Sequence, residues 1–193
     1  MKNLDNDVLP RRGNRFSKAV ATSLFRLLGW KVDGALPNVP KMVVIGAPHT
    51  SNWDFPLAMT LIFYLGVPLN WMAKKEFFVT PFSYLWHWLG GVPVDRKAAN
   101  GMVGQMVETI QQRAKIVLAI APEGTRSKVE RWRTGFYHIA HRANIPIVPI
   151  LVDYGRKTLT ITDPFIPSGD VDADMPLLQA RYNGVIGKNR HQF

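Results

Sequence analysis

Short apolar runs alternate with helix-like segments along most of this chain, and the alternation limits the folds open to it. The runs are bounded by turn residues and are typical of buried strands; they lie at residues 42–47, 69–73, 92–94, 116–120, 145–150 and 158–161. Segments of helical character lie between or beside them, at residues 16–30, 55–66, 99–112, 135–143 and 175–185. This order predicts an α/β domain with a layered, mixed, largely parallel sheet flanked by helices.

The first helical segment is predicted to be an N-terminal amphipathic helix. Apolar residues recur in it at helical spacing, and three basic residues add charge: Phe16, Val20, Leu24, Leu27 and Leu28, with Arg15, Lys18 and Arg26. Such a helix either covers one side of a core or lies in a lipid headgroup layer. Residues 1–14 are polar and charged, so we expect a flexible arm before a single domain at residues 15–193.

Composition restricts the class of protein and of partner. The 193 residues are 47% hydrophobic, which suits one globular domain with a sizeable core. The absence of cysteine excludes disulfides and thiolate zinc sites. A formal charge of +10 indicates an acidic partner, such as anionic lipid, nucleic acid, an acidic carrier protein or a phosphorylated substrate.

The sequence lacks the patterns of a secretory signal and of a membrane-spanning helix. Residues 1–14 have no apolar centre, and the longest apolar stretch, residues 55–69, is interrupted by Pro56, Gly66 and Pro68. We therefore expect a peripheral protein on the cytoplasmic side of the membrane. An aromatic cluster at residues 77–89 suits either a membrane interface or a core.

A histidine and an aspartate follow the first apolar run, five positions apart. Residues 46–48 end that run, His49 comes next, and Ser51 or Asn52 can cap the helix predicted to begin near Trp53. A carboxylate on one ring nitrogen fixes the tautomer and leaves the other nitrogen free to accept a proton. The pair is therefore a candidate general base. The pair alone is also compatible with a strand-end histidine and a helix-capping aspartate that have no catalytic role.

Further polar residues follow other predicted strands. Arg96 follows residues 92–94, and the turn Glu123, Gly124, Thr125 and Arg126 follows residues 116–120. Ligands gather at the carboxyl ends of strands in α/β sheets, so these groups can share one site with the histidine. Guanidinium groups match phosphate oxygens, glycine permits close backbone approach, and the glutamate can bind a hydroxyl or an arginine. Either arginine can instead form a surface ion pair.

In order and spacing, four blocks resemble the glycerolipid (lysophospholipid) acyltransferase superfamily. They are His-x4-Asp at residues 49–54, a glycine-to-Asp-Arg block at residues 90–96, Pro-Glu-Gly-Thr-Arg-Ser at residues 122–127, and an apolar strand with proline at residues 145–150. The resemblance covers about residues 40–155. The N-terminal region is short for the family, and Trp53 is a bulky residue in the first block, so the acceptor's identity stays open.

The resemblance implies acyl transfer from coenzyme A or acyl carrier protein thioester to the hydroxyl of a lysolipid such as lysophosphatidic acid. It implies that His49 is the base and Asp54 its partner. It also implies that Arg96, Glu123 and Arg126 bind the acceptor's polar head, with Gly124 and Thr125 in the same turn. No cofactor and no metal are expected.

Three other functions compete with this prediction. A basic, aromatic-rich chain can bind nucleic acid, but the aromatics here lie in apolar runs and the arginines beside glycine turns, so we expect no nucleic-acid partner. The same His-Asp pair can activate water in a hydrolase. A non-catalytic peripheral membrane protein can also carry these motifs.

Overall fold

A seven-stranded sheet organises the computed structural model of this chain, which describes residues 7–95, 97–98, 101–125, 129 and 131–189. The strands are β1 (Lys31–Asp33), β2 (Lys41–Ala47), β3 (Asn70–Lys74), β4 (Gly91–Val94), β5 (Ile116–Ile120), β6 (Ile147–Asp153) and β7 (Thr158–Ile161). Their order is β1-β7-β6-β2-β5-β3-β4, and every neighbouring pair is parallel except β6 with β7. The predicted mixed, largely parallel sheet is confirmed.

Helices cover both faces of the sheet. They are α1 (Arg15–Leu27), α2 (Asp54–Leu65), α3 (Ser83–Trp88), α4 (Gly101–Gln112), α5 (Gly135–Ala143) and α6 (Val171–Ala180), with a 3-10 turn at Lys75–Phe77. One core lies between the sheet and α1 and α2, and the other between the sheet and α4, α5 and α6. The domain is therefore a three-layer α/β structure.

Strand β2 shows why its sequence reads as an unbroken apolar run. Val43 and Ile45 face the core on the α4–α5 side, whereas Met42 and Val44 face the core on the α1–α2 side. All four side chains are buried. A central parallel strand covered on both faces needs apolar residues at every position, not at alternate ones.

Several element boundaries differ from the predictions. Helix α1 ends at Leu27, because Gly29 takes a left-handed conformation with φ +73°. Strand β1, three residues long, was not predicted, since so short a run carries little periodicity. Helix α6 begins at Val171, because the Asp170 side chain caps its first turn. It ends at Ala180, well before residue 185, because a turn follows it.

The described part of the N-terminal arm, residues 7–14, contacts the domain. The Arg12 backbone N–H donates to the Gly66 carbonyl at 2.8 Å, and its guanidinium donates to the Trp88 carbonyl at 2.6 Å. The Leu9 side chain is buried. These contacts hold residues 7–14 against the domain, and the flexible arm over residues 1–14 stays a prediction.

Two apolar surfaces stay exposed. The first, here called the α1 face, consists of Phe16, Val20, Leu24, Leu27 and Leu28. The second, the α3 aromatic surface, consists of Phe77, Phe82, Tyr84, Leu85 and Trp88. Helix α1 also buries Ala21 and Phe25, so it both covers the core and presents apolar side chains outward. In the described part of the chain, no helix is long and apolar enough to cross a membrane.

Candidate functional site

Three neighbouring parallel strands end at one edge of the sheet and bring the candidate site together. Strand β2 lies between β6 and β5. His49 follows β2, Glu123 follows β5, and Tyr154 follows β6. Because the carboxyl ends of parallel strands meet at one edge, residues distant in sequence become neighbours there.

The Asp54 carboxylate is the centre of this group. Its Oδ2 lies 3.0 Å from His49 Nδ1 and also accepts the backbone N–H groups of Thr50 at 3.0 Å and Ser51 at 2.9 Å. Its Oδ1 accepts the Tyr154 hydroxyl at 2.6 Å. Both oxygens are therefore held, and the orientation of the carboxylate is fixed.

This arrangement corrects the predicted cap of α2. Neither Ser51 nor Asn52 is the capping residue; Trp53 takes that position, and its side chain makes no capping hydrogen bond. Instead Asp54, the first helical residue, reaches back to the N–H groups of the preceding turn. A carboxylate in the first turn also interacts favourably with the positive end of the helix dipole.

The geometry assigns the tautomer of His49. Because an acceptor oxygen faces Nδ1, that nitrogen carries the proton and Nε2 is left with a lone pair. The His49 side chain is 28% exposed, whereas the Asp54 side chain is 8% exposed. The imidazole is thus accessible to a substrate while its partner is shielded from water.

Hydrogen bonds keep Asp54 ionised despite its burial. Burial raises the pKa of this carboxyl, but hydrogen bonds from His49, Tyr154 and the Ser51 backbone outweigh that effect. The resulting pKa lies below the ordinary value of 3.8. A carboxylate that is ionised at neutral pH can stabilise the imidazolium that forms when His49 takes a proton.

Glu123 lies on the other side of His49 and contacts its backbone. Oε1 accepts the His49 N–H at 3.0 Å, so the side chain helps to fix the loop that carries the imidazole. Burial raises the pKa of Glu123. Its Oε2 is buried and has no hydrogen-bond partner in the part of the chain that the structure describes. The contact with His49 was not predicted.

Of the other residues predicted to bind the acceptor's polar head, the structure describes only Gly124 and Thr125. Gly124 has φ +66°. A Cβ at this position would lie 2.6 Å from Arg133 Cδ, so the turn packs against Arg133, which was not predicted to belong to the site. Thr125 is exposed on the same turn. Arg96 and Arg126 lie outside the described residues.

An apolar cavity of about 230 Å³ opens beside the His-Asp pair. His49 and Asp54 line it at one end, and Phe55, Leu61 and Trp71 are among its apolar walls. It lies between α2 and the sheet. A space of this kind suits a hydrocarbon chain whose end reaches the imidazole.

Tyr154 and a C-terminal segment are the site components that sequence reasoning missed. The Tyr154 N–H donates to the Ile186 carbonyl at 2.8 Å, and Asn189 donates from its side chain to the Thr50 carbonyl at 2.8 Å. Tyr154 was identifiable, since it follows a predicted strand at the same sheet edge. No local pattern marks residues 186–189, which reach the site only through the fold.

Within the described residues, no group of three or more histidine or acidic side chains is placed to hold a metal ion. The chemistry available is that of an oriented imidazole with an ionised partner, beside a buried carboxylate and an apolar cavity. This combination suits removal of a proton from a hydroxyl or from water.

Comparison with known proteins gives a family match. The model of the family described as Acyltransferase matches residues 32–153. The 1-acyl-sn-glycerol-3-phosphate acyltransferase of Escherichia coli is 31% identical over 136 residues, which are 65% of this chain and 54% of that protein. The protein of the same name from Cocos nucifera is 31% identical over 150 residues, 74% of this chain and 47% of its own length. This chain spans about half the length of these relatives.

A solved structure shares the fold. The crystal structure of the 1-acyl-sn-glycerophosphate (LPA) acyltransferase PlsC from Thermotoga maritima aligns with a TM-score of 0.60 at 21% identity. The alignment covers 87% of this chain and 76% of that one.

The Tyr154 hydroxyl should contribute measurably to stability through Asp54. Tyr154→Phe keeps the ring packed edge-on against Trp30 at 4.9 Å but removes a hydrogen bond to a charged group. We expect a loss of about 2 kcal/mol in the free energy of unfolding, measured by urea denaturation. The control is Tyr64→Phe, a half-buried tyrosine with a ring contact to Phe25. Equal losses in the two variants would contradict the assigned bond.

Asp54 should stabilise the fold only where it is ionised. Its pKa is lowered in the folded state, so its contribution is complete above its unfolded pKa and is lost as pH falls through the folded value, below 3.8. We therefore expect Asp54→Asn to reduce the free energy of unfolding at pH 7 and the deficit to shrink toward pH 3. Urea titrations across this range measure it, and a deficit that is independent of pH would show that ionisation of Asp54 does not matter.

Proposed function

This chain belongs to the Acyltransferase family, whose model covers well over half of it, and we propose that it is an O-acyltransferase acting on lysolipids. In this proposal a fatty acyl group moves from a thioester, of coenzyme A or acyl carrier protein, to the hydroxyl of a lysolipid such as lysophosphatidic acid. The observation that carries the proposal is the His49–Asp54 pair, whose partly exposed imidazole lies beside an apolar cavity. The names of the relatives support the acceptor class.

The proposed reaction is a direct transfer. His49 Nε2 accepts the hydroxyl proton while the oxygen attacks the thioester carbonyl, and Asp54 stabilises the imidazolium. The tetrahedral intermediate then collapses, the C–S bond breaks, and the imidazolium returns the proton to the leaving thiolate. General-base assistance of this kind is worth about 10²–10⁴-fold in rate. The chain contains no cysteine to carry the acyl group.

The start of α2 is a poor source of donors for the oxyanion. Backbone N–H groups at a helix start are common oxyanion donors. Here those of Trp53, Asp54 and Phe55 already donate, respectively, to the Ser51 hydroxyl, the Ser51 carbonyl and the Asn52 carbonyl. We therefore do not assign these three groups to the oxyanion.

The acceptor head is proposed to bind along the sheet edge from Glu123 outward. Glu123 Oε2, buried and unbonded among the described residues, can accept a hydrogen bond from an acceptor hydroxyl. Gly124 and Thr125 continue the same turn, and Arg126, the next residue in the sequence, is proposed to contribute its guanidinium to the acceptor head. Arg96, which lies outside the described residues, stays a proposed ligand of the acceptor's polar head.

The two exposed apolar surfaces and the positive charge support a peripheral membrane location. An amphipathic helix with exposed leucines and basic residues binds at the headgroup layer, and tryptophan and tyrosine favour the same depth. The α1 face and the α3 aromatic surface supply these residues. The +10 charge favours an anionic membrane, and we propose its cytoplasmic side.

A direct assay tests this function. Purified protein is incubated with lysophosphatidic acid and either acyl-coenzyme A or acyl carrier protein thioester, and the acylated lipid is quantified. We expect His49→Ala to lower the product rate by about 10²–10⁴-fold because the general base is gone. The control is His138→Ala, which changes an exposed histidine on α5.

Two outcomes would contradict the proposal. Near-normal product formation by His49→Ala would remove this imidazole from the chemistry. Thioester consumption by the wild-type protein without any acylated lipid, across a panel of lysolipid acceptors, would identify a hydrolase.

A further inference from the structure

A second cleft, of about 320 Å³, lies behind the His-Asp pair. Tyr154 lines it, and the hydroxyl of this residue holds Asp54 Oδ1, whereas His49 bonds the opposite oxygen, Oδ2. Leu28, Trp30 and Trp53 contribute further to its walls, but His49 does not. Leu57 is a shared wall between this cleft and the cavity into which the imidazole opens.

The cleft combines aromatic walls with two ammonium groups. Trp30 and Tyr154 meet edge to face at 4.9 Å. Lys188 Nζ lies 4.5 Å from the centre of the Trp53 ring, and Lys157 Nζ donates to the Leu28 carbonyl at 3.0 Å. Among the described lining residues there is no carboxylate. Apolar walls beside two ammonium groups suit a ligand that has a hydrocarbon chain and an anionic head.

The backbone of Lys157 adds an independent observation. Its φ is +49°, in the left-handed region of backbone conformation. Residues other than glycine and asparagine rarely adopt this conformation. From this position its ammonium reaches the carboxyl end of α1, where a cation also interacts favourably with the helix dipole. The contact with the end of α1 explains the position of the Lys157 ammonium only. It does not explain why the Lys188 ammonium lies over the Trp53 ring at the same cleft.

The cleft opens beside the surface proposed to meet the membrane. Leu28 belongs both to the cleft lining and to the α1 face, and it is 56% exposed. Trp53, at the cleft, is 63% exposed. A lipid in the headgroup layer can therefore place a chain in the cleft without leaving the membrane.

We propose that this cleft binds one acyl chain of an anionic phospholipid from the membrane surface, with its phosphate against Lys157 and Lys188. The proposal rests on the membrane location given above but not on the acyl transfer. Because Tyr154 forms one wall, an occupied cleft restrains the ring whose hydroxyl holds Asp54.

Brominated lipids provide the test. Two vesicle preparations contain phosphatidylcholine and phosphatidylglycerol in the same ratio. In one preparation the phosphatidylglycerol chains carry bromine, and in the other the phosphatidylcholine chains do. The bromine content of the two preparations is equal. Quenching of Trp30 is the fluorescence loss of the wild-type protein minus that of Trp30→Phe. We expect stronger quenching by brominated phosphatidylglycerol, since each lysine favours an anionic headgroup roughly fivefold.

Charge variants separate the cleft from general attraction to the vesicle. In Lys157→Gln/Lys188→Gln the two preparations should quench Trp30 equally. Arg113→Gln/Arg142→Gln removes the same charge from exposed positions at the α4–α5 side and should keep the difference. Circular dichroism checks that each variant is folded.

Equal quenching of Trp30 in the wild-type protein, a retained difference in the lysine variant, or no sedimentation with these vesicles would each overturn the proposal. No acyl transfer is measured, so a failure here is distinct from a failure of the proposed enzymatic function.

Discussion

The Asp54 carboxylate joins three parts of the chain at one point. It accepts hydrogen bonds from the turn after β2, orients the imidazole of His49, and receives the Tyr154 hydroxyl from the end of β6. Burying a carboxylate is costly unless such partners replace water. The parallel arrangement of β6, β2 and β5 supplies them, because it places the ends of these strands side by side. The geometry of the candidate site depends on this one satisfied charge.

The sequence predicted the sheet better than its edges and helix ends. Central strands such as β2 and β5 are covered on both faces, so their residues form continuous apolar runs that are visible in the sequence. Strand β1 has three residues, of which Lys31 and Asp33 are exposed, and it exists only because β7 pairs with it. Helix α6 includes Pro176, a residue that usually argues against a helix interior, and its true start lies further upstream.

The contact between His49 and Asp54 was predictable because one short segment contains both residues. His49 and Asp54 are close in sequence, and their spacing was sufficient to pair them. The contact of Glu123 with the His49 backbone and the contact of Lys188 with Trp53 span long stretches of chain, and no local pattern encodes either. The same holds for the cleft behind the pair, whose walls come from the end of α1, the start of α2, the β6–β7 turn and Lys188.

We infer that Asp54 fixes the proton of His49 on Nδ1 and leaves Nε2 as the proton acceptor. Nitrogen-15 NMR of the protein labelled at its histidines, with His49 assigned by comparison with His49→Ala, measures this directly at a pH where the imidazole is neutral. We expect a protonated Nδ1 that couples to a hydrogen-bonded, downfield proton, and an unprotonated Nε2. A proton on Nε2, or rapid exchange between the two tautomers, would contradict it.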